Sequence, residues 1–246
     1  MDRLIYVSMT GARHALEAQA TVAHNLANVN SSGFRTQMNA LRAVHLFGEG
    51  MPTRSYVVDS TVGTDFRPGT IQQTGRALDV AVMGKGFLAV QLPDGSEGYT
   101  RAGGLNVGPG GMLESPQGHP VLGDGGTIAI PPDVTITIAK DGTVSSIPTS
   151  GRSTVNVIGR LKLVNPPEAD LVRGEDGVFR TKGGGSAPAD GSVVVASGAI
   201  EGSNVNAVEQ MIALISHARA FEMHMKMLQN ADQNDRQANQ LLTMNR

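Results

Sequence analysis

The 246 residues are 40% apolar, enough to bury the core of one large or two modest domains, and 31 Gly with 12 Pro stay well under the Pro and Gly share of about 25–30% that marks low-complexity chains. A net charge of −2 with scattered Lys and Arg leaves no electrostatic footprint for nucleic acid or anionic lipid, so neither is expected as a partner. The lack of cysteine excludes disulfides, thiolate metal sites and cysteine nucleophiles together, and suits a reducing or an oxidising compartment equally.

Residues 4–27 read as an amphipathic helix. Steps of four and three give Ile5, Met9, Ala12, Leu16, Gln19, Ala23 and Leu26, an apolar stripe at coiled-coil spacing interrupted only at Gln19. The opening residues hold no apolar run long enough for a signal-peptide core, and no segment approaches the ~18 residues of a membrane span. Work outside the cytoplasm would therefore imply export without a cleaved leader. The helix is expected to end near Asn28, because Asn30, Ser31, Ser32 and Gly33 compete with helical backbone. Phe34, directly after the breaker, is expected to dock the outgoing chain onto its own helix or a neighbour's.

From 35 to 75 the periodicity is poor. A short helical possibility spans 37–44, the turn-rich Phe47-Gly-Glu-Gly-Met-Pro follows, and 55–60 is extended; together they predict a linker that is neither helix nor compact domain. From 76 to 202 the pattern becomes short strands over 78–82, 87–92, 98–101, 127–130, 134–139, 143–146, 155–164, 178–181 and 192–197. Pro93-Asp94-Gly95-Ser96 and Lys140-Asp141-Gly142 supply hairpin turns, and no helices intervene to support a parallel sheet. This segment reads as mostly antiparallel β, with Gly183-Gly-Gly-Ser-Ala-Pro as a flexible surface loop.

The last element, residues 206–242 within the segment 203–246, is a long helix. Asn206 and Glu209 have the form of a capping box, with Ser203 or Asn204 as alternative caps. Its seam runs Ala207, Met211, Leu214, Ala218, Phe221, Met225 and Leu228 before turning polar at Asp232 and Asp235. The fold class is therefore α+β: terminal helices (1–34 and 203–246) forming a coiled-coil-like pair, a central mostly antiparallel β domain (76–202), and a linker (35–75). The seam is too rich for one partner helix. Arg219 and Glu222 flank Phe221 as either an exposed intrahelical pair or charges that set register against other subunits.

Residues with possible chemistry favour plainer roles. Gly84-Lys85-Gly86-Phe87-Leu88-Ala89 has the glycines of a dinucleotide fingerprint, but they introduce a strand where phosphate binding needs a helix N-terminus. His217 and His224 share a helix face two turns apart, too distant for one metal unless other chains contribute. Asp94, Glu97, Asp124 and Asp133 sit in turn-like contexts, which argues against a glycoside-cleaving carboxylate pair. No serine lies in a nucleophile elbow. No catalytic residue, cofactor or metal is expected.

Three motifs, in order, resemble one family. Leu26-Ala27-Asn28-Val29-Asn30-Ser31-Ser32-Gly33-Phe34 resembles the signature that closes the N-terminal helix of flagellar rod and hook axial proteins. Leu78-Asp79-Val80-Ala81-Val82 through Gly86-Phe87, with Tyr99-Thr100-Arg101, resembles the opening of their β domain. Ser203-Asn204-Val205-Asn206 with Arg219-Ala220-Phe221-Glu222 and Lys226 resembles their C-terminal signature. Met1-Asp2-Arg3-Leu4-Ile5-Tyr6-Val7 and the chain length resemble a proximal-rod subunit, with a distal-rod or hook-type protein as the alternative. The resemblance implies export through the flagellar type III apparatus, assembly in the periplasm with other rod subunits and with copies of itself, and an assembly interface. That interface comprises Ile5, Met9, Ala12, Leu16, Ala23 and Leu26 on the first helix and Asn28, Gly33 and Phe34 after it. It continues with Asn204 and, on the last helix, Met211, Leu214, Ala218, Arg219, Phe221, Glu222, Met225 and Leu228. Lacking full partners in a lone subunit, the terminal helices are expected to be frayed or disordered before assembly. A competing class is a glycan-binding or hydrolytic β domain on a helical stalk.

Overall fold

The computed structural model describes residues 2–45, 55–149 and 154–244. The chain forms two compact units. The first comprises Met1–Val29, Thr36–Asp65 and Val205–Arg246, and the second Asn30–Arg35 with Phe66–Asn204.

In the first unit the N-terminal helix α1 (Asp2–Ala27) pairs antiparallel with the C-terminal helix α2 (Ala207–Met244). Asn206 caps α2: its Oδ1 accepts the N–H groups of Val208 at 3.1 Å and Glu209 at 3.4 Å, satisfying donors that have no intrahelical partner. At the far end of α1, Asn28 donates its amide and its side chain to the His24 carbonyl at 3.2 and 2.9 Å.

The residues read as a linker form a hairpin. β1 (Gln37–His45) pairs antiparallel with β2 (Ser55–Thr64), from Gln37 against Thr64 to His45 against Ser55, with a register shift at Ala40/Leu41. The helical possibility over 37–44 is thus corrected to a strand: a short segment without a cap has little helical preference to oppose cross-strand hydrogen bonding. The turn-rich Phe47-Gly-Glu-Gly-Met-Pro lies outside the described residues.

The second unit is antiparallel β throughout its pairings. A five-stranded sheet runs in the spatial order Leu163–Val164, Phe87–Gln91, Glu97–Thr100, Phe179–Thr181 and Leu171–Arg173. A three-stranded sheet joins Val134–Ile138, Thr143–Pro148 and Asn156–Arg160. Val80–Met83 pairs with Val194–Ser197, and Ile71–Gln73 with Ala199–Glu201. The strand read over 155–164 is broken by a change of partner: Asn156–Arg160 pairs with the Thr143–Pro148 strand, Leu161 bridges Gly123, and Leu163–Val164 pairs with Leu88 and Phe87 of the five-stranded sheet.

The strand Phe87–Gln91 is buried on both faces. Leu88 and Val90 enter a core with Val80, Val82, Leu105, Leu113 and Leu161, while Phe87 and Ala89 enter a second cluster with Tyr99, Val164 and Phe179. The alternation of strand side chains therefore feeds two cores from one segment. In the second cluster Phe66, Phe87 and Phe179 stack edge to face or tilted, with centroids 5.5 to 6.3 Å apart.

Candidate assembly surfaces

The apolar residues of the two helices divide into two rows. Those facing the partner helix are mostly small or polar on α1: Ser8, Ala12, Ala15, Val22 and Asn25 are buried. On α2 the facing row is half-buried Gln210, Leu214, His217, Phe221, His224 and Leu228, ending at buried Ala231. Small residues on α1 let the helices approach closely, and His224 lies over Gly11. A second row lies about one residue, or ~100°, round each helix. It carries Met9, Leu16 and Ala23 on α1 and Val208, Met211, Ile215, Glu222 and Met225 on α2, all exposed.

The interface residues named from sequence fall on both rows. Ala12 is buried and Ile5, Leu26, Leu214, Ala218, Phe221 and Leu228 are half-buried, whereas Met9, Leu16, Ala23, Met211, Arg219, Glu222 and Met225 are exposed. Tyr6, Val7, Ile212 and Met223 add further exposed apolar surface, beyond the scattered single residues that soluble surfaces normally carry.

Asn25 escaped the sequence reading although it interrupts an apolar face, and it ties three elements together. Its Nδ2 donates to the Gln37 carbonyl and its Oδ1 accepts the Gln37 N–H, both at 2.9 Å, so the side chain acts as a strand neighbour for the first residue of β1. Nδ2 also reaches Gln210 Oε1 on α2 at 3.4 Å. Thr21 adds a second tie by donating to Asn39 Oδ1 at 2.9 Å.

In the second unit, Gly33, Phe34 and Asn204 meet around a buried carboxylate. Glu201 receives Arg35 Nη2 on Oε1 at 2.7 Å and Arg101 Nη1 on Oε2 at 2.8 Å, and the Gly69 N–H adds 2.9 Å to Oε1. All three charged side chains are buried, Glu201 to 1% exposure. Arg101 also donates to the Val82 and Gly84 carbonyls. Gly33, at φ +68°, donates to the Glu201 carbonyl at 2.7 Å, and a Cβ there would lie 2.2 Å from the Arg101 carbonyl carbon. Phe34 lies under the Arg173 guanidinium at 4.3 Å and accepts the Asn204 N–H at 3.3 Å. Burial holds the Arg173 pKa below the usual guanidinium value. Phe34 therefore docks onto the β unit, not onto a helix as the sequence suggested, because the left-handed turn at Gly33 and the cation above its ring direct it there. Asn204 Nδ2 donates to the Arg67 carbonyl at 2.9 Å.

The residues weighed for chemistry have structural partners. Gly84 and Gly86 take φ of +72° and +126° and lead into a strand, as a strand-entry turn requires. Asp94 accepts Ser96 N–H at 2.9 Å and its hydroxyl at 2.6 Å, and Asp141 treats Thr143 alike at 3.1 and 2.7 Å. Asp190 does the same with Ser192 at 2.8 and 2.6 Å. In each case the donated hydroxyl holds the carboxyl below its usual range. Glu97 pairs with Lys162 at 2.8 Å and accepts from Ser186. A surface groove of about 630 Å³ is lined by Pro166, Pro167, Asp170, Lys182, Pro188 and Asp190 among others. Among the described residues, no three His, Asp or Glu side chains cluster to hold a metal, and no helix is long and apolar enough to cross a membrane.

Three family models match the chain: flagella basal body rod protein over residues 5–35, the flagellar hook protein FlgE/F/G D1 domain over 81–146, and the flagellar basal body rod FlgEFG protein C-terminal over 196–241. Arg35, Arg101 and Glu201 each fall in a different one of these segments, so the buried charge cluster joins all three. The flagellar basal-body rod protein FlgF of Escherichia coli (strain K12) is 49% identical, with 99% of this chain and 100% of the relative covered. Its counterpart in Salmonella typhimurium (strain LT2) is 47% identical over the same shares. The flagellar basal-body rod protein FlgG of Buchnera aphidicola subsp. Schizaphis graminum is 29% identical over 93% of this chain and 95% of its own. The chain belongs to the FlgF family of flagellar basal-body rod proteins.

Proposed function

We propose that this chain, a structural subunit of the bacterial flagellar basal-body rod, polymerises through the outer faces of α1 and α2. The observation that carries this reading is the exposed apolar row on each helix, which remains after the two helices have covered each other. Copies of the chain and other rod subunits supply the missing cover. The distal-rod or hook-type alternative is not favoured, given the higher identity to FlgF than to FlgG.

On this reading the protein acts without catalysis. The chain reaches the periplasm through the flagellar type III apparatus. Its terminal helices are largely disordered before assembly and order as they pack into an inner helical tube. The β unit then braces adjacent subunits against torsion.

The test is complementation of a strain lacking this protein, followed by immunolabelling of purified basal bodies. Swimming restored with label in the rod is expected. Restored swimming with the protein absent from basal bodies would contradict the reading.

A further inference from the structure

The outer surfaces of α1 and α2 match in size over three positions and in charge at Glu222 and Arg13. From one end of α2 the outer surface presents Val208, Ile212 and Ile215, at 65%, 63% and 55% exposure, and then Arg219 and Glu222. From the corresponding end of α1 it presents Ala27, Ala23 and Ala20, all exposed, and then Leu16 and Arg13. Over the first three positions one surface is bulky where the other is small.

The register within a single chain is fixed at two points. Asn25 meets Gln210, and His224 lies over Gly11; equal numbers of residues separate these points on the two helices. Resting on the polymerisation reading above, we propose that a second copy of this chain lays the surface of its α2 that carries Val208, Ile212 and Ile215 along the surface of this α1 that carries Ala27, Ala23 and Ala20, antiparallel and in that same register. Val208 then faces Ala27, Ile212 faces Ala23, Ile215 faces Ala20, Arg219 faces Leu16 beside Glu17, and Glu222 faces Arg13.

Three bulky side chains over three alanines allow close helix approach. Glu222 gives Arg13, whose exposed guanidinium pairs with Glu17 of its own helix at 2.8 Å, a second carboxylate. Other registers lose this match. Sliding one heptad toward the α1 N-terminus places Ile215 on Arg13 and Ile212 on Leu16. Sliding one heptad the other way carries Val208 and Ile212 beyond Ala27, where α1 ends.

The chain has no cysteine, so introduced thiols report cleanly. Ala23→Cys and Ile212→Cys chains are co-expressed in flagellated cells, and basal bodies are purified and run without reductant. Ala20→Cys with Ile215→Cys is a second pair, and Met9→Cys with Ile212→Cys is the off-register control. We expect a disulfide-linked dimer from either in-register mixture, none from any single variant alone and none from the control. Basal bodies that contain the variants but give no in-register dimer, or give one with Met9→Cys, overturn the proposed register while leaving the rod reading intact. Failure of both in-register pairs to be incorporated overturns it too, because exposed single substitutions at a contact that tolerates a thiol should assemble. Absence of the unmodified protein from basal bodies would instead overturn the rod reading.

Discussion

The imidazole of His224 sits over Gly11 so closely that a Cβ built on the glycine would lie 2.4 Å from the ring. Glycine within a helix is unfavourable by about 0.5–1 kcal/mol relative to alanine. Close approach of α2 accounts for its place here. Gly11→Val should push the helices apart at a cost of about 1–3 kcal/mol, the usual range for overpacking. The measurement is thermal loss of helical circular dichroism in the assembled protein. A variant melting at or above the parent temperature would show that the approach is incidental.

Glu201 compensates two buried guanidinium groups at once. Glu201→Gln keeps the shape but leaves Arg35 and Arg101 without their carboxylate, and breaking a buried pair in this way costs about 3–5 kcal/mol. Denaturant unfolding of the β unit, followed by tyrosine fluorescence, should show a lower midpoint. An unchanged midpoint would mean that the cluster holds no net stabilisation.

Gly33 leaves no room for a side chain and takes a left-handed φ. Gly33→Ala should destabilise the same unit by about 1–3 kcal/mol, from backbone strain together with the clash against Arg101. The sign is informative, because an alanine that fits would stabilise by restricting the unfolded chain.

Much of this arrangement was legible in the residues. The helices, the hairpin turns at Asp94-Gly95 and Asp141-Gly142, and the cap at Asn206 follow from local chemistry, and local chemistry is what a sequence displays. The β1 strand was not legible, since its partner β2 lies beyond a long connection and pairing outweighs the weak preference of residues 37–45. The stripe read as Ile5, Met9, Ala12 and Leu16 merged two rows, because a heptad count follows apolarity and cannot tell a contact row from one step round the helix. The convergence of Arg35, Arg101 and Glu201 was equally hidden: a buried charge looks like a surface charge until its partner is known. Asn25 did leave a signal, an amide on an apolar face.

Three Asp-Gly-Ser/Thr turns should make the β unit sensitive to acid. Asp94, Asp141 and Asp190 have folded pKa values held below the usual carboxylate range by the hydroxyls of Ser96, Thr143 and Ser192. Their contribution is present above the unfolded value of about 3.9 and is lost as pH falls through the lower folded values. Denaturation midpoints measured from pH ~5 down to ~2 should therefore decline. The triple Asp→Asn variant, which keeps an acceptor oxygen at each turn, should decline less. Equal slopes would place the acid sensitivity elsewhere.

The most direct measurement concerns Ile215, 55% exposed on the outer row of α2. Leu214 and Phe221 are less suitable, because they face α1 and their loss would disturb the subunit itself. If the outer faces build the polymer, Ile215→Glu will leave the purified chain with parental circular dichroism and β-unit stability, yet the variant will be absent from basal bodies and the cells will not swim. Normal incorporation and swimming with Ile215→Glu would contradict assembly through these faces.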